Sequence, residues 1–167
     1  PYPYLGLLVS GGHTLIARVE GIESFVVLGA TIDDACGEAF DKVAKFYDLG
    51  FPGGVAIDRL AQKGDDRAFR FPWPSLHKGD HPFDVSYSGL KTAVVNQLEQ
   101  FRDPRRPATP ENIAASFQKA AVDILVDRRP QVRCEIPGFS DMTRFKGIWR
   151  RMRTQWGLGR RARQEER

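Results

Sequence analysis

The apolar periodicity that can build a core stops at Val126. Before that point, strand-like and helix-like patterns follow one another; after it, no period is sustained beyond a few residues. Charge changes at the same place. Residues 1–127 carry 13 Lys+Arg against 17 Asp+Glu, net −4, whereas residues 128–167 carry 12 against 4, net +8. The chain's formal charge of +4 therefore comes wholly from its last segment. A pI near 9.3 ordinarily suggests a nucleic-acid partner, but here it describes the tail, not the patterned part. The expected organisation is a partial α/β domain over residues 1–127 and an irregular Arg-rich tail over residues 128–167.

With 167 residues and 41% apolar content, the chain is long enough to bury a core. No apolar run approaches the roughly 18 residues of a membrane span, and no basic-then-apolar leader is present. Cys36 and Cys134 stand far apart and form no CxxC, which supports neither a disulfide framework nor a zinc ribbon. That usage fits a reducing cytosol.

Tyr4–Val9 and Thr14–Val19 are strand-length runs about Ser10-Gly11-Gly12, the pattern of a β-hairpin. Phe25–Leu28 is a third short strand candidate. Residues 33–49 predict a helix, with Ala35, Ala39, Phe40, Val43, Phe46 and Tyr47 at helical spacing. Thr31 or Asp33 is placed to cap its start, and Gly50 to end it in a left-handed conformation. A short helix over Val55–Gln62 follows the Phe51-Pro52-Gly53-Gly54 turn. Residues 64–82 form a long, Pro-containing connection with Phe69, Phe71 and Trp73, and a loop of that length is usually functional or an insertion. Phe83–Tyr87 is a strand candidate, and Ser88 is placed to cap a helix through Leu90, Val94, Val95 and Leu98. Thr109-Pro110 is a helix start, with Ile113, Phe117, Ala121, Ile124 and Leu125 as its buried stripe.

Four motifs can carry chemistry. In Leu8-Val9-Ser10-Gly11-Gly12-His13-Thr14, a Gly-Gly turn lets backbone N–H groups converge on an anion, although such a pair is more often only a turn. Asp34, Glu38 and Asp41 share one helical face at spacings of four and seven. That face is either solvated, with Glu38–Lys42 and Asp41–Lys45 pairs, or a set of acceptors for sugar hydroxyls or an ammonium. Pro52-Gly53-Gly54 is a turn signal that also permits close approach of a flat ligand, with Asp58 one helical turn on, within reach of a ribose. Ser86-Tyr87-Ser88-Gly89-Leu90-Lys91-Thr92 is either an anion-facing helix start or a plain junction. No Walker loop, HExxH, GxSxG or kinase signature occurs.

Taken in order, LLVSGGHT, IDDACGEAFDKVAK, FPGGVAIDRLAQKG, DVSYSGLKTAV and IAASFQKAAVDIL closely resemble the TsaD family across residues 4–127. These are the tRNA N6-adenosine threonylcarbamoyltransferases, formerly called O-sialoglycoprotein endopeptidases. The resemblance implies part of an actin/Hsp70/sugar-kinase-like fold of two α/β lobes about a nucleotide cleft. It implies transfer of threonylcarbamoyl from threonylcarbamoyl-AMP to N6 of the adenosine beside the anticodon. It assigns adenylate contacts to Leu8, Val9, Ser10, Gly11, Gly12, Asp41 and Gly54, with Asp58 near the ribose. tRNA is then the acceptor, and the paralogue TsaB and the ATPase TsaE are the partners expected from bacterial relatives. The implied location is the cytoplasm, with no membrane partner.

The resemblance also implies one divalent metal, iron or zinc. The family's HxxxH pair, its first phosphate loop, its GGVxxN motif and its late metal-binding aspartate are not in this sequence. No residue here is assigned as a metal ligand, and His13 does not take that role. The expectation is an internal piece of a transferase, inactive alone, joined near Arg128 to out-of-frame or other non-family sequence. The alternatives are a non-catalytic remnant whose basic tail binds RNA, or an ATPase or sugar kinase of the same superfold.

Overall fold

The computed structural model describes residues 2–72, 83–105 and 109–126. The tail expectation for residues 128–167, Trp73 and most of the Pro-rich connection lie outside the described residues. The described part is mixed α/β. Three antiparallel strands, β1 (Tyr4–Val9), β2 (Thr14–Val19) and β3 (Phe25–Ala30), form one sheet in the order β1-β2-β3. The helices are α1 (Cys36–Phe46), α2 (Gly53–Ala61), α3 (Ser88–Val95), α4 (Leu98–Phe101) and α5 (Thr109–Val126).

The hairpin forms as its pattern predicts, with Tyr4 opposite Val19 and Val9 opposite Thr14. Alternation sends Leu5, Leu7 and Ile16 to one face, where Leu5 and Ile16 pack with Phe83. Tyr4 and Leu8 on β1 and Phe25 on β3 stay exposed. The third strand runs two residues further than expected, to Ala30, and a bulge between Ile16 and Ala17 shifts its register.

The main core lies among the helices. Phe40 of α1 meets Phe117 of α5 with ring centroids 4.7 Å apart, and Ile57, Leu90, Val94, Ile113 and Ala121 close around them. The expected α5 stripe is buried at every position named for it, from Ile113 to Leu125. Tyr47 stacks on Phe101 at 4.0 Å, donates its hydroxyl to the Val94 carbonyl, and has its phenol pushed up to about 12 by burial.

Several local expectations are corrected. The helix predicted over residues 33–49 begins only at Cys36, and neither Thr31 nor Asp33 caps it. Its first donor, Cys36 N–H, goes instead to the Thr14 hydroxyl of β2 at 2.8 Å. Its end is set by Asp48, left-handed at φ 57°, with Leu49 N–H on the Ala44 carbonyl and Asp48 N–H on the Lys45 carbonyl. Gly50 is also left-handed, at φ 92°, but lies beyond that cap. Ser88 does not cap α3; it is the first residue of the helix. The Phe83–Tyr87 segment makes only one isolated parallel bridge, Val85 to Thr31, beside the end of β3.

Candidate functional site

The hairpin turn is closed from within. Ser10 N–H donates to the His13 carbonyl at 2.8 Å, and the Ser10 hydroxyl oxygen accepts from His13 N–H at 2.9 Å and Gly12 N–H at 3.3 Å. Gly11 and Gly12 are exposed, and a Cβ added at either would meet nothing within 4 Å. No packing among the described residues accounts for those two glycines. The space over them is open to a ligand.

The turn is docked on α1. Gly37 N–H donates to the Ser10 carbonyl at 3.1 Å, and a Cβ at Gly37 would lie 2.6 Å from that carbonyl oxygen and 2.8 Å from Gly11 Cα. One helical turn along, Asp41 Oδ1 accepts from Gly53 N–H, the first residue of α2, at 2.8 Å. A Cβ at Gly53 would sit 2.6 Å from Asp41 Cα, so α2 starts in backbone contact with α1. Residues i and i+4 share a helix face about 6 Å apart along the axis. One face of α1 thus carries the Gly-Gly turn at one end and the start of α2 at the other.

The predicted site residues distribute unevenly over this frame. Ser10, Gly11 and Gly12 form the turn, and Asp41 and the half-buried Gly54 stand at the α1–α2 junction. Val9 packs toward the helical core, while Leu8, half exposed, lies on the opposite face of β1. Asp58 is buried in the α2–α5 contact. Its Oδ2 accepts from Gln62 Nε2 at 2.9 Å and its Oδ1 from Gln118 Nε2 at 3.0 Å.

The expected common face of Asp34, Glu38 and Asp41 does not form, because Asp34 precedes α1. Asp34 instead bridges Lys42 at 2.5 Å and Lys91 of α3 at 2.8 Å. Burial works to raise its pKa, but these two ammonium groups outweigh it and hold the carboxyl below its ordinary value. The Glu38–Lys42 pair does form, at 2.8 Å. Asp41 turns to the Gly53 amide instead.

Asp33 serves α3 from a distance in sequence. It accepts from Tyr87 N–H at 2.8 Å, Ser88 N–H at 3.3 Å, the Ser88 hydroxyl at 2.8 Å and the Ser86 hydroxyl. Burial opposes ionisation, yet these donors lower its pKa. The SYSGLKT segment is therefore a helix start whose first donors are already taken up by a carboxylate.

Sequence reasoning left Gly37 and Gln118 without roles and placed Thr14 with the Gly-Gly turn motif, not at the start of α1 where its hydroxyl accepts from Cys36 N–H. Gly37 carried a local signal, a glycine inside a predicted helix, which propensity alone does not explain. Thr14 and Gln118 act across 22 and 60 residues, and no local pattern marks them. Cys36 is buried, its thiol pushed up to about 12 by desolvation, and it is chemically quiet. Among the described residues, no three His, Cys, Asp or Glu side chains come together to hold a metal, and no helix is long and apolar enough to cross a membrane.

Residues 1–148 match the TsaD family, described as tRNA N6-adenosine threonylcarbamoyltransferase. The match runs past residue 127 into the arginine-rich segment. The chain is 63% identical over 126 residues to the tRNA N6-adenosine threonylcarbamoyltransferase of Treponema denticola, covering 75% of this chain and 37% of that protein. The protein of the same name from Treponema pallidum is 56% identical over 132 residues, covering 79% and 37%. That from Borreliella burgdorferi is 54% identical over 125 residues, covering 75% and 36%. The chain thus spans a little over a third of the length of these relatives. With five motifs in register and a match over most of its residues, the chain belongs to the TsaD family of transferases that modify tRNA.

Proposed function

We propose that this chain forms the adenylate-holding wall of a threonylcarbamoyltransferase. The substrate is threonylcarbamoyl-AMP, and the acceptor is N6 of the adenosine beside the anticodon of tRNA. In the reaction, the amine attacks the carbamoyl carbon, the bond to the phosphate oxygen breaks, AMP leaves with the bonding electron pair, and the displaced N6 proton passes to solvent. The wall's task is to hold the phosphate and keep water from the mixed anhydride. Ser10 closes the turn, and Gly11 and Gly12 leave an open approach over it, with Leu8 and Val9 carrying the turn into the sheet. Asp41 and Gly54 border the nucleoside end, and Asp58 faces the ribose.

The observation that carries this reading is the shared face of α1. Gly37 docks the Gly-Gly turn, and Asp41, four residues on, holds the first amide of α2 at 2.8 Å. A nucleotide needs an anion cradle and a glycine-lined shelf at fixed separation, and one rigid helix sets that separation.

Family members are expected to use a divalent metal, iron or zinc. The described residues of this chain do not provide a site for it. No step is derived through it. TsaB and TsaE are expected partners, the site of action is the cytoplasm, and the two-lobed actin/Hsp70-like architecture is the frame into which these elements fit.

Titrating AMP into the isotope-labelled chain tests the reading by NMR. Amide shifts should appear first at Gly11, Gly12 and Gly54, and Asp41→Ala should weaken binding about tenfold, the scale of one lost charge-assisted contact. An unperturbed spectrum at millimolar AMP overturns it.

A further inference from the structure

Five basic side chains among the described residues are neutralised in place: Arg18, Lys42, Lys91, Arg105 and Lys119 each hold a carboxylate oxygen within 3.0 Å. Arg59, Lys63, Arg67 and Arg70 pair with no carboxylate among the described residues, and all four are exposed. They fall close together in the chain. Residues 59–70 are net +2, inside a body of net −4 over residues 1–127. Two of the four extend along α2. Val55, Arg59 and Lys63 recur every fourth residue on its exposed side, while Ile57 and Asp58 face inward. Lys63 lies just past the helix, and its N–H donates to the Leu60 carbonyl at 3.0 Å, so the turn continues through it. Four residues of helix set the two charges about 6 Å apart along the axis.

The other two sit on a loop that α5 holds down. Asp65 N–H donates to Asn112 Oδ1 at 2.8 Å, Phe69 N–H to the Ser116 hydroxyl oxygen at 3.1 Å, and that hydroxyl to the Asp65 carbonyl at 3.3 Å. Asp65 Oδ1 accepts from Arg67 N–H at 2.9 Å, so this carboxylate is engaged by backbone and not by a guanidinium. A file of unpaired cations on a fixed backbone suits a phosphate polyanion, because each phosphate neutralised releases counterions and fixes orientation without reading a base. We propose that Arg59, Lys63, Arg67 and Arg70 form a phosphate-binding strip for the tRNA backbone, leading away from the Gly54 end of α2 and positioning the acceptor. The inference rests on tRNA as the acceptor, as read above. It places RNA contact on the acidic body and not on the basic tail alone.

The test measures binding of an unmodified tRNA transcript to the 167-residue chain between about 50 and 200 mM salt, with thermal melting run on every variant. Combining Arg59→Gln, Lys63→Gln, Arg67→Gln and Arg70→Gln should lower the slope of log affinity against log salt by about 3, at about 0.7 to 0.9 for each phosphate contact. The tail contributes equally to both slopes, so the difference reports the strip. Lys45→Gln with Arg102→Gln removes two further exposed cations that lie off the strip. That control should leave the slope within about 0.5 of the native value. Melting should be unchanged in both, because these side chains stand in solvent.

A fourfold variant that melts cooperatively and keeps the native slope overturns the inference and leaves tRNA standing as the acceptor. So does a control whose slope falls as far per charge as that of the strip, since any surface cation would then serve. If the fourfold variant does not melt cooperatively, Lys63→Gln and Arg70→Gln decide singly. Each should lower the slope by about 1, and an unchanged slope in both overturns the inference. A native chain that binds no tRNA at the lowest salt overturns the strip and the acceptor reading together.

Discussion

The helices and the sheet bury their apolar residues to very different degrees. In the helical half, Phe40, Ile57, Leu90, Val94, Ile113 and Phe117 are each at most 3% exposed, enclosed by four helices. In the sheet, one face packs through Leu5, Ile16 and Phe83, while Tyr4, Leu8 and Phe25 remain 39 to 63% exposed. Stability should therefore reside in the helical half, since the apolar area removed from water scales the hydrophobic contribution. The seam between the halves is where the Gly-Gly turn meets α1. The candidate site thus pairs a loosely covered sheet with a rigid helical support, and substitutions on the two sides should behave unequally.

The largest contrast is between two phenylalanines. Phe117→Ala removes a fully buried ring against Phe40 and should cost about 3–5 kcal/mol, enough to unfold a marginal domain. Phe25→Ala, at 63% exposure, should change stability by no more than about 0.5 kcal/mol. Urea denaturation of both variants checks the pair. Comparable losses would mean that the sheet carries as much of the fold as the helices.

The next contrast sits on the seam itself. Alanine at Gly37 gains about 1 kcal/mol of helix propensity. Against that, its Cβ would lie 2.6 to 2.9 Å from backbone atoms of Ser10 and Gly11. Backbone cannot swing aside as a side chain can, and such overpacking costs about 1–3 kcal/mol. Overlap should win, so Gly37→Ala should lower the melting temperature and broaden the amide signals of the turn. Gly12→Ala, with nothing within 4 Å, should leave stability within about 0.5 kcal/mol of the native chain while weakening AMP binding. If Gly37→Ala were as mild as Gly12→Ala, the turn would not be docked as described.

The same seam marks how far sequence can be read. The hairpin and the α5 stripe were legible because strict alternation and 3–4 spacing are local properties, visible within a dozen residues. So was the Gly11-Gly12 turn, since turns advertise themselves by composition; Gly53 and Gly54, expected in the turn before a helix from Val55, are instead the first two residues of α2. The helix boundaries were less legible. Residues 33–35 fit the helical spacing of residues 36–46, but the carboxylates there are taken by distant partners: Asp33 by α3 and Asp34 by Lys91. The α1 cap comes from Thr14 across a strand connection. Asp48 rather than Gly50 ends α1, because the closing hydrogen bonds of Asp48 and Leu49 fix where the chain must reverse. In the site, the pairing of Asp58 with Gln118 spans 60 residues and two helices, and only the packing of α2 on α5 makes it visible.

The smallest expected effect concerns pH, and it joins the two halves again. Asp33 and Asp34 follow β3 and anchor α3 and α1, and both carboxyls are held below their ordinary value of 3.8. A depressed native pKa stabilises the fold at pH values above the unfolded value, and that contribution is lost as pH falls through the native one. Melting temperature should therefore be flat from pH 7 to about pH 5 and fall below about pH 4. Asp33→Asn keeps one acceptor but cannot ionise. It should lower stability at pH 7, where the native carboxylate binds the Tyr87 and Ser88 amides, and flatten the acid limb. The two melting curves should converge as pH falls through the lowered native value, where the native carboxyl is itself becoming protonated. A variant whose acid limb is as steep as that of the native chain would place the titrating anchor elsewhere. Asp34, bound to Lys42 and Lys91, would be the next group to substitute.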